Sequence, residues 1–346
     1  MSRKKILYLG NQLMARGLNP TSVDTLGTKL GDMYEVRKAS NRVAFLPRLL
    51  HMWYSILKNR AETKVVLIDT YSTLAFHFAW TSAYLCRFFK IPYIPILHGG
   101  RLPDRLRKSP KLMSGYLKSA YSIVSPSPYL KTELQRQTIS SHEIKVIPNL
   151  LEIESYPYTA PTKNSKLVLF WLRAFAEIYR PENAIKLVNY LKSKCIIDVE
   201  LFMVGPKKDS SLERCQELVK EYGLEQCVHF PGKLPKEQWV PLAINSDIFI
   251  NTTSVDNMPV SVLEMMALGI PVVSTAVGGI PYIIENGING ILVDLDQIDQ
   301  MGDEILKIWS DPQKQIILSE NGRQKAESCA WEKVKYKWKS LIDQID

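Results

Sequence analysis

The chain alternates short apolar runs with helix-patterned segments twice over, with one irregular break between, and few folds accommodate that rhythm. In the first half the apolar runs are KKILYLG (4–10), KVVLIDT (64–70), IPYIPILHGG (91–100), SIVSPS (122–127) and IKVIPN (144–149). Helical patterns fall between them, near 21–30, 45–58, 74–89 and 129–137. Runs this short and this continuously hydrophobic read as strands buried on both faces, which implies a parallel sheet with helices on each side. The stretch LLEIESYPYTAPTKNS (150–165), with Pro157 and Pro161, breaks the pattern and reads as a linker. The alternation then restarts. KLVLFW, IDVELFMVG, CVHFPG and SDIFINTT are strands; PENAIKLVNYLKS, SLERCQELVKEYG and PKEQWVPLA are helices. The expected fold class is α/β with two doubly wound domains facing a central cleft, split as 1–160 and 161–331, and a last helix over 332–346. Ligands of such sheets sit beyond the strand C-termini.

A length of 346 residues with 46% hydrophobic content supplies two such cores. The five cysteines, Cys86, Cys195, Cys215, Cys227 and Cys329, form no CxxC or zinc spacing and fit a reducing compartment. The start, MSRKKILYLG, passes straight into a strand without the apolar core of a signal peptide, so the expected location is cytoplasmic. The uncharged stretch 71–86 is too short and too polar for a comfortable span and reads as a buried helix. The net charge of +9 admits an anionic partner, but no nucleic-acid-binding signature accompanies it.

The segment richest in chemistry is NTTSVDNMPVSVLEMMALGIPVVSTAVGGIP (251–281). Asp256 stands eight positions before Glu264, and Asn257, Met258, Pro259, Val260 and Ser261 between them read as a loop feeding a helix. Unpaired N–H groups at a helix start suit a phosphate, while flanking carboxylates accept hydrogen bonds from hydroxyls. The pattern suits a ligand that carries both phosphate and hydroxyls. Arg173 and Arg180 flank the loop after the KLVLFW strand, and His98 ends another strand before two glycines. Alone, the arginines read more readily as a surface salt-bridging pair and the histidine as structural.

Together these segments resemble the GT-B-fold, family-4-type retaining glycosyltransferases, most closely over 166–295 and more loosely in the first half. The family's E-x7-E motif, its G-[ILV]-P-V-V strand and its GG[IL]P turn stand here as Asp256-NMPVSVL-Glu264, GIPVV and GGIP. The resemblance implies a nucleoside-diphosphate sugar donor on the second domain, a glycan or lipid-linked acceptor on the first, and transfer with retention. It assigns Glu264 to the donor ribose, Asp256 and His98 to the donor sugar, Arg173 and Arg180 to the leaving diphosphate, and the backbone of 257–261 to sugar and diphosphate. Gly205, Lys233 and Leu234 fall at its donor and nucleobase loops, and Gly10 at its first, glycine-rich loop. Asn11, Arg16 and Arg101 are acceptor-side candidates. The last helix is expected to pack back on the first domain. Two departures stand out: Asp256 replaces the usual Glu, and Arg180 replaces the usual Lys. With cations clamping the diphosphate, no metal and no cofactor beyond the donor is expected.

Basic residues crowd RLPDRLRKSPK (101–111), and VAFLPRLLHMWYSILKNR (43–60) mixes Leu, Trp and Phe with Arg and Lys. Both lie in the expected acceptor half, which suggests an anionic membrane surface as a further partner, at its inner face. Two other readings are a nucleotide-sugar 2-epimerase on the same fold and a non-catalytic nucleotide-sugar-binding protein.

Overall fold

A computed structural model of the chain describes residues 3–12, 14, 20–137, 144–162, 165–194 and 198–345. It consists of two compact units, Met1–Leu150 with Trp331–Asp346, and Leu151–Ala330.

The first unit runs β1 (Lys5–Leu9), α1 (Ser22–Leu30), β2 (Glu35–Ala39), α2 (Phe45–Asn59), β3 (Val65–Thr70), α3 (Phe76–Phe88), β4 (Tyr93–Leu97), α4 (Leu102–Lys108), α5 (Pro110–Lys118), β5 (Ile123–Ser125), α6 (Pro128–Arg136) and β6 (Ile144–Val146). The sheet is parallel in the order β2-β1-β3-β4-β5-β6. Successive residues of a strand point to opposite faces, and both faces are covered. Leu7, Leu9, Val66 and Ile68 join the core under α2 and α3, while Ile6, Tyr8, Val65 and Leu67 join the opposite core.

The second unit runs β7 (Leu167–Leu172), α7 (Pro181–Lys194), β8 (Val199–Val204), α8 (Ser211–Glu221), β9 (Val228–Gly232), α9 (Lys236–Ile244), β10 (Ile248–Asn251), α10 (Val260–Leu268), β11 (Val272–Thr275), β12 (Ile291–Val293), α11 (Ile298–Ser310) and α12 (Pro312–Glu327). Its parallel sheet has the order β12-β11-β10-β7-β8-β9. Strand order reverses between β7 and β10 here, and between β1 and β3 in the first unit. In open sheets of this kind that reversal leaves a crevice outside the strand C-termini.

The last helix, α13 (Trp331–Asp343), belongs to the first unit. Its buried Val334, Trp338, Leu341 and Ile342 follow helical spacing and fill the core that Tyr8 and Leu67 line. The Tyr34 hydroxyl donates to Asp343 at 2.8 Å.

The border lies at Leu150 rather than at 160. Leu151 and Tyr156 are buried in the second unit's core, and the Leu151 N–H donates to the Cys329 carbonyl. Arg323 fastens the same stretch by donating to the carbonyls of Tyr156 and Ala267. Several elements have no counterpart in the sequence expectation. Edge strand β2 is EVRKA, of which only Ala39 is buried. The basic stretch after Gly100 folds as α4 and α5, and β12, α11 and α12 complete the second unit. Cys86, Cys215, Cys227 and Cys329 are buried and unbridged, while Cys195 lies outside the described residues. Among the described residues no helix is long and apolar enough to cross a membrane.

Candidate functional site

In the second unit the reversal point is where the charged residues gather. Strand β7 ends at Leu172, so Arg173 leaves the sheet at its C-terminal edge, and β10 ends next to it at Asn251. The Arg173 guanidinium donates through Nη2 to Asp256 Oδ2 at 2.5 Å and through Nε to Asn251 Oδ1 at 3.4 Å. It also lies 4.9 Å from the centre of the Tyr179 ring. Asp256 is held from two further sides. Its Oδ1 accepts the Asn257 N–H at 2.8 Å, and its carbonyl accepts the Gly279 N–H at 2.9 Å. Two glycines make this packing possible. A Cβ at Gly205 would meet the Arg173 carbonyl at 1.6 Å, and one at Gly278 would meet the Asp256 carbonyl at 2.0 Å with φ at +57°.

Asn257, Met258, Pro259 and Ser261 are buried, and only Val260 is exposed. Pro259 caps α10 from outside rather than standing in its first turn. The Ser261 hydroxyl, inside that turn, is buried without a hydrogen-bond partner.

Glu264 lies one turn further along α10. Its Oε1 accepts the Tyr156 hydroxyl at 2.6 Å. Lys236 Nζ stands 3.5 Å from the centre of the Tyr156 ring. Burial pushes the Glu264 carboxyl above the ordinary range, while the Tyr156 bond and the charges of Lys236 and Arg173 pull it back. Burial, and then the Glu264 charge, push the Tyr156 phenol well up; burial pushes the Lys236 ammonium down. Glu264 is therefore a carboxylate whose ionisation depends on its neighbours.

Arg180 stands apart from the Arg173–Asp256 pair. It has left-handed backbone geometry (φ 46°), and its Nη1 donates to Asp296 at 2.6 Å. Gly205 donates its N–H to the Gly232 carbonyl at 2.9 Å, which ties the end of β8 to the turn carrying Lys233 and Leu234. Lys233 is exposed and Leu234 packs on the core.

The first unit has a matching cluster at its own reversal point. His98 Nε2 lies 2.8 Å from Asp69 Oδ1, which also accepts the Tyr8 hydroxyl at 2.9 Å. The Tyr71 ring stacks on His98 at 5.2 Å. Burial raises the pKa of both tyrosines, with the Asp69 charge adding to it. Asp69 Oδ2 is buried without a partner, and a Cβ at Gly10 would lie 2.4 Å from it. Gly10 thus belongs beside Asp69 for reasons of space. Asn11 accepts from Thr21 and Arg48, Arg101 is exposed at the start of α4, and Arg16 lies outside the described residues.

Sequence reasoning missed Asp69, Tyr156, Lys236 and Asn251. Asp69 carried a usable signal, a carboxylate at the end of the otherwise apolar run VVLI. Tyr156 carried none, because it lies in a stretch that reads as linker. Among the described residues no group of three or more His, Cys, Asp or Glu could hold a metal ion.

The family model described as "Glycosyl transferases group 1" matches residues 157–325, nearly all of the second unit and just under half of the chain. The chain is 31% identical over 123 residues to the D-inositol 3-phosphate glycosyltransferase of Corynebacterium jeikeium (strain K411), covering 36% of this chain and 29% of that protein. It is 26% identical over 162 residues to the N-acetyl-alpha-D-glucosaminyl L-malate synthase of Bacillus anthracis, covering 46% and 40%. It thus spans about a third of the length of the curated relatives it matches. Similar solved structures include the sucrose-phosphate synthase of Thermosynechococcus elongatus, with a TM-score of 0.81, 16% identity and 99% of each chain covered. Another is Anabaena Alr3699/HepE in complex with UDP and glucose, with a TM-score of 0.76, 18% identity, and 98% and 99% covered. The fold is GT-B, and residues 157–325 carry the group 1 glycosyl transferase pattern on it.

Proposed function

We propose that this protein is a glycosyltransferase that moves a sugar from a nucleoside-diphosphate sugar to a glycan or lipid-linked acceptor, with retention of anomeric configuration, in the synthesis of surface polysaccharide or glycolipid. The observation that carries the reading is the joining of Arg173, Asp256, the α10 N-terminus and Glu264 at the reversal point of one sheet. A guanidinium and helix N–H groups suit a diphosphate, and a half-buried carboxylate suits a ribose diol. The relatives named as glycosyltransferases and the neighbour solved with UDP and glucose support a nucleotide-sugar donor.

In this reading Arg173 stabilises the charge that grows on the departing diphosphate, and Arg180 joins it by leaving Asp296. That is electrostatic stabilisation placed where charge develops. Glu264 fixes the ribose, Asp256 orients the donor sugar, and the first unit, with His98 and Asp69, receives the acceptor at the inner face of a membrane. No metal is assigned a role.

The test is incubation with a panel of nucleoside-diphosphate sugars, with and without lipid extract, following diphosphate release, sugar transfer and the anomeric configuration of the product. Transfer with retention supports the proposal. Epimerised donor without acceptor points to a 2-epimerase, and donor binding without turnover points to a non-catalytic binding protein.

A further inference from the structure

We propose that the outward faces of α2 and α3 form a docking surface for an anionic lipid bilayer. This deepens the membrane part of the proposed function and rests on it. On α2, Met52, Ser55, Ile56 and Asn59 face the core. The opposite side carries Leu46, Leu50, Tyr54 and Leu57, whose spacing of four, four and three makes one stripe. Leu46, Leu50 and Tyr54 are 60%, 52% and 57% exposed, on a face where a water-facing helix carries polar residues. Helix α3 runs alongside. Phe45 and Phe78 lie 4.6 Å apart, Trp53 donates to Thr81 at 3.2 Å, and Arg60 lies over the Phe89 ring at 5.7 Å. It exposes Tyr84 and Phe88, one turn apart, the latter at 72%. Two adjacent helices thus present apolar rows to water, the mark of an interaction surface.

Charge identifies the partner. No Asp or Glu occurs in 36–61 or in 70–103, whereas Arg42, Lys58, Arg60, Arg87 and Lys90 border the rows. Beside the stripe opens a groove of about 380 Å³ lined by Arg37, His51, Tyr54, Lys58 and Asn59, among others. Arg37 is already paired with Glu35 and Glu62 and adds no net charge. Lys38 also lines the groove but is half-buried and donates to the Thr28 hydroxyl, so the exposed Lys58 is the groove cation open to a headgroup. A second copy meeting this face would set cations against cations. A bilayer of anionic lipid satisfies both features, because acyl chains take the apolar rows and phosphate headgroups take the cations and the groove.

The test is sedimentation of the full chain with vesicles of phosphatidylcholine alone and of equal parts phosphatidylcholine and phosphatidylglycerol, at low and high salt. The expected result is partition onto the anionic vesicles, weakened by salt. Lys58→Glu with Arg87→Glu should weaken it at least twentyfold, from about fivefold for each cation near the surface. Leu50→Asp with Tyr54→Asp should abolish it while the melting temperature and donor binding stay unchanged. Partition that ignores lipid charge, or surface variants that partition like the wild type, would overturn the proposal. So would a dimer in light scattering that Leu50→Asp with Tyr54→Asp dissolves while the wild type shows no lipid binding. Wild type that transfers sugar to a soluble acceptor but never partitions loses this surface and keeps the proposed function. Wild type that partitions but neither binds nor turns over any donor keeps the surface and loses the proposed function.

Discussion

Asp256 and Arg173 hold one another in a mostly buried pair, so each is the other's neutralising partner. Asp256→Asn keeps the shape and removes the charge. It should leave the melting temperature within a few degrees and cut sugar transfer at least tenfold, checked by calorimetry and by a transfer assay on one sample. Tyr156 acts one step back, through Glu264. Its hydroxyl favours the ionised carboxylate, which is the form that accepts hydrogen bonds from a ribose diol. Donor affinity should fall as pH drops through the Glu264 pKa, which burial has raised. Tyr156→Phe removes a bond that lowers that pKa, so the fall should begin at a higher pH. At low pH the variant should bind donor roughly tenfold more weakly, the worth of one hydrogen bond to a charged group. The measurement is donor titration across pH. A uniform loss at every pH would mark Tyr156 as merely structural.

At the scale of elements, the C-terminal ends of β7 and β8 approach so closely that only glycine fits at Gly205. Gly205→Ala should cost about 2 kcal/mol or more, as overpacking does, and should displace Arg173, so that stability and donor binding fall together in denaturant and binding titrations. Elements also show what the sequence made legible. Strands buried on both faces, such as those carrying VVLI and LVLFW, announce themselves as unbroken apolar runs. Helix α10 announces itself by Pro259 before it and Gly269 after it. Edge strand β2 did not, because half-exposed EVRKA lacks that run. Nor did α4, where charges outnumber apolar residues. Candidate residues that lie on readable elements or in a motif, such as Arg173, Asp256 and Glu264, are legible in the sequence, and the structure pairs Arg173 with Asp256. Those that reach the site through tertiary packing, Tyr156 from an apparent linker and Lys236 from the start of α9, are not legible. Arg180, which the resemblance assigns with Arg173 to the leaving diphosphate, has a left-handed backbone conformation and pairs with Asp296.

On the scale of the whole molecule, the chain leaves the first unit at Leu150 and returns at Trp331 to finish its core. Trp338→Ala should therefore destabilise the first unit by about 3–5 kcal/mol, the cost of emptying a large aromatic site. The second unit should melt as before, so that calorimetry shows one early transition and one unchanged. In the proposed function the reversal point of the second unit is a nucleoside-diphosphate sugar site. Calorimetric titration of wild type and Arg173→Ala with UDP, ADP and GDP tests it most directly. Wild type should bind at least one of them with micromolar affinity, and Arg173→Ala should bind that one at least tenfold more weakly while circular dichroism shows it still folded at the titration temperature. Absence of binding to all three by a folded wild type, or equal affinity in the variant, would contradict it.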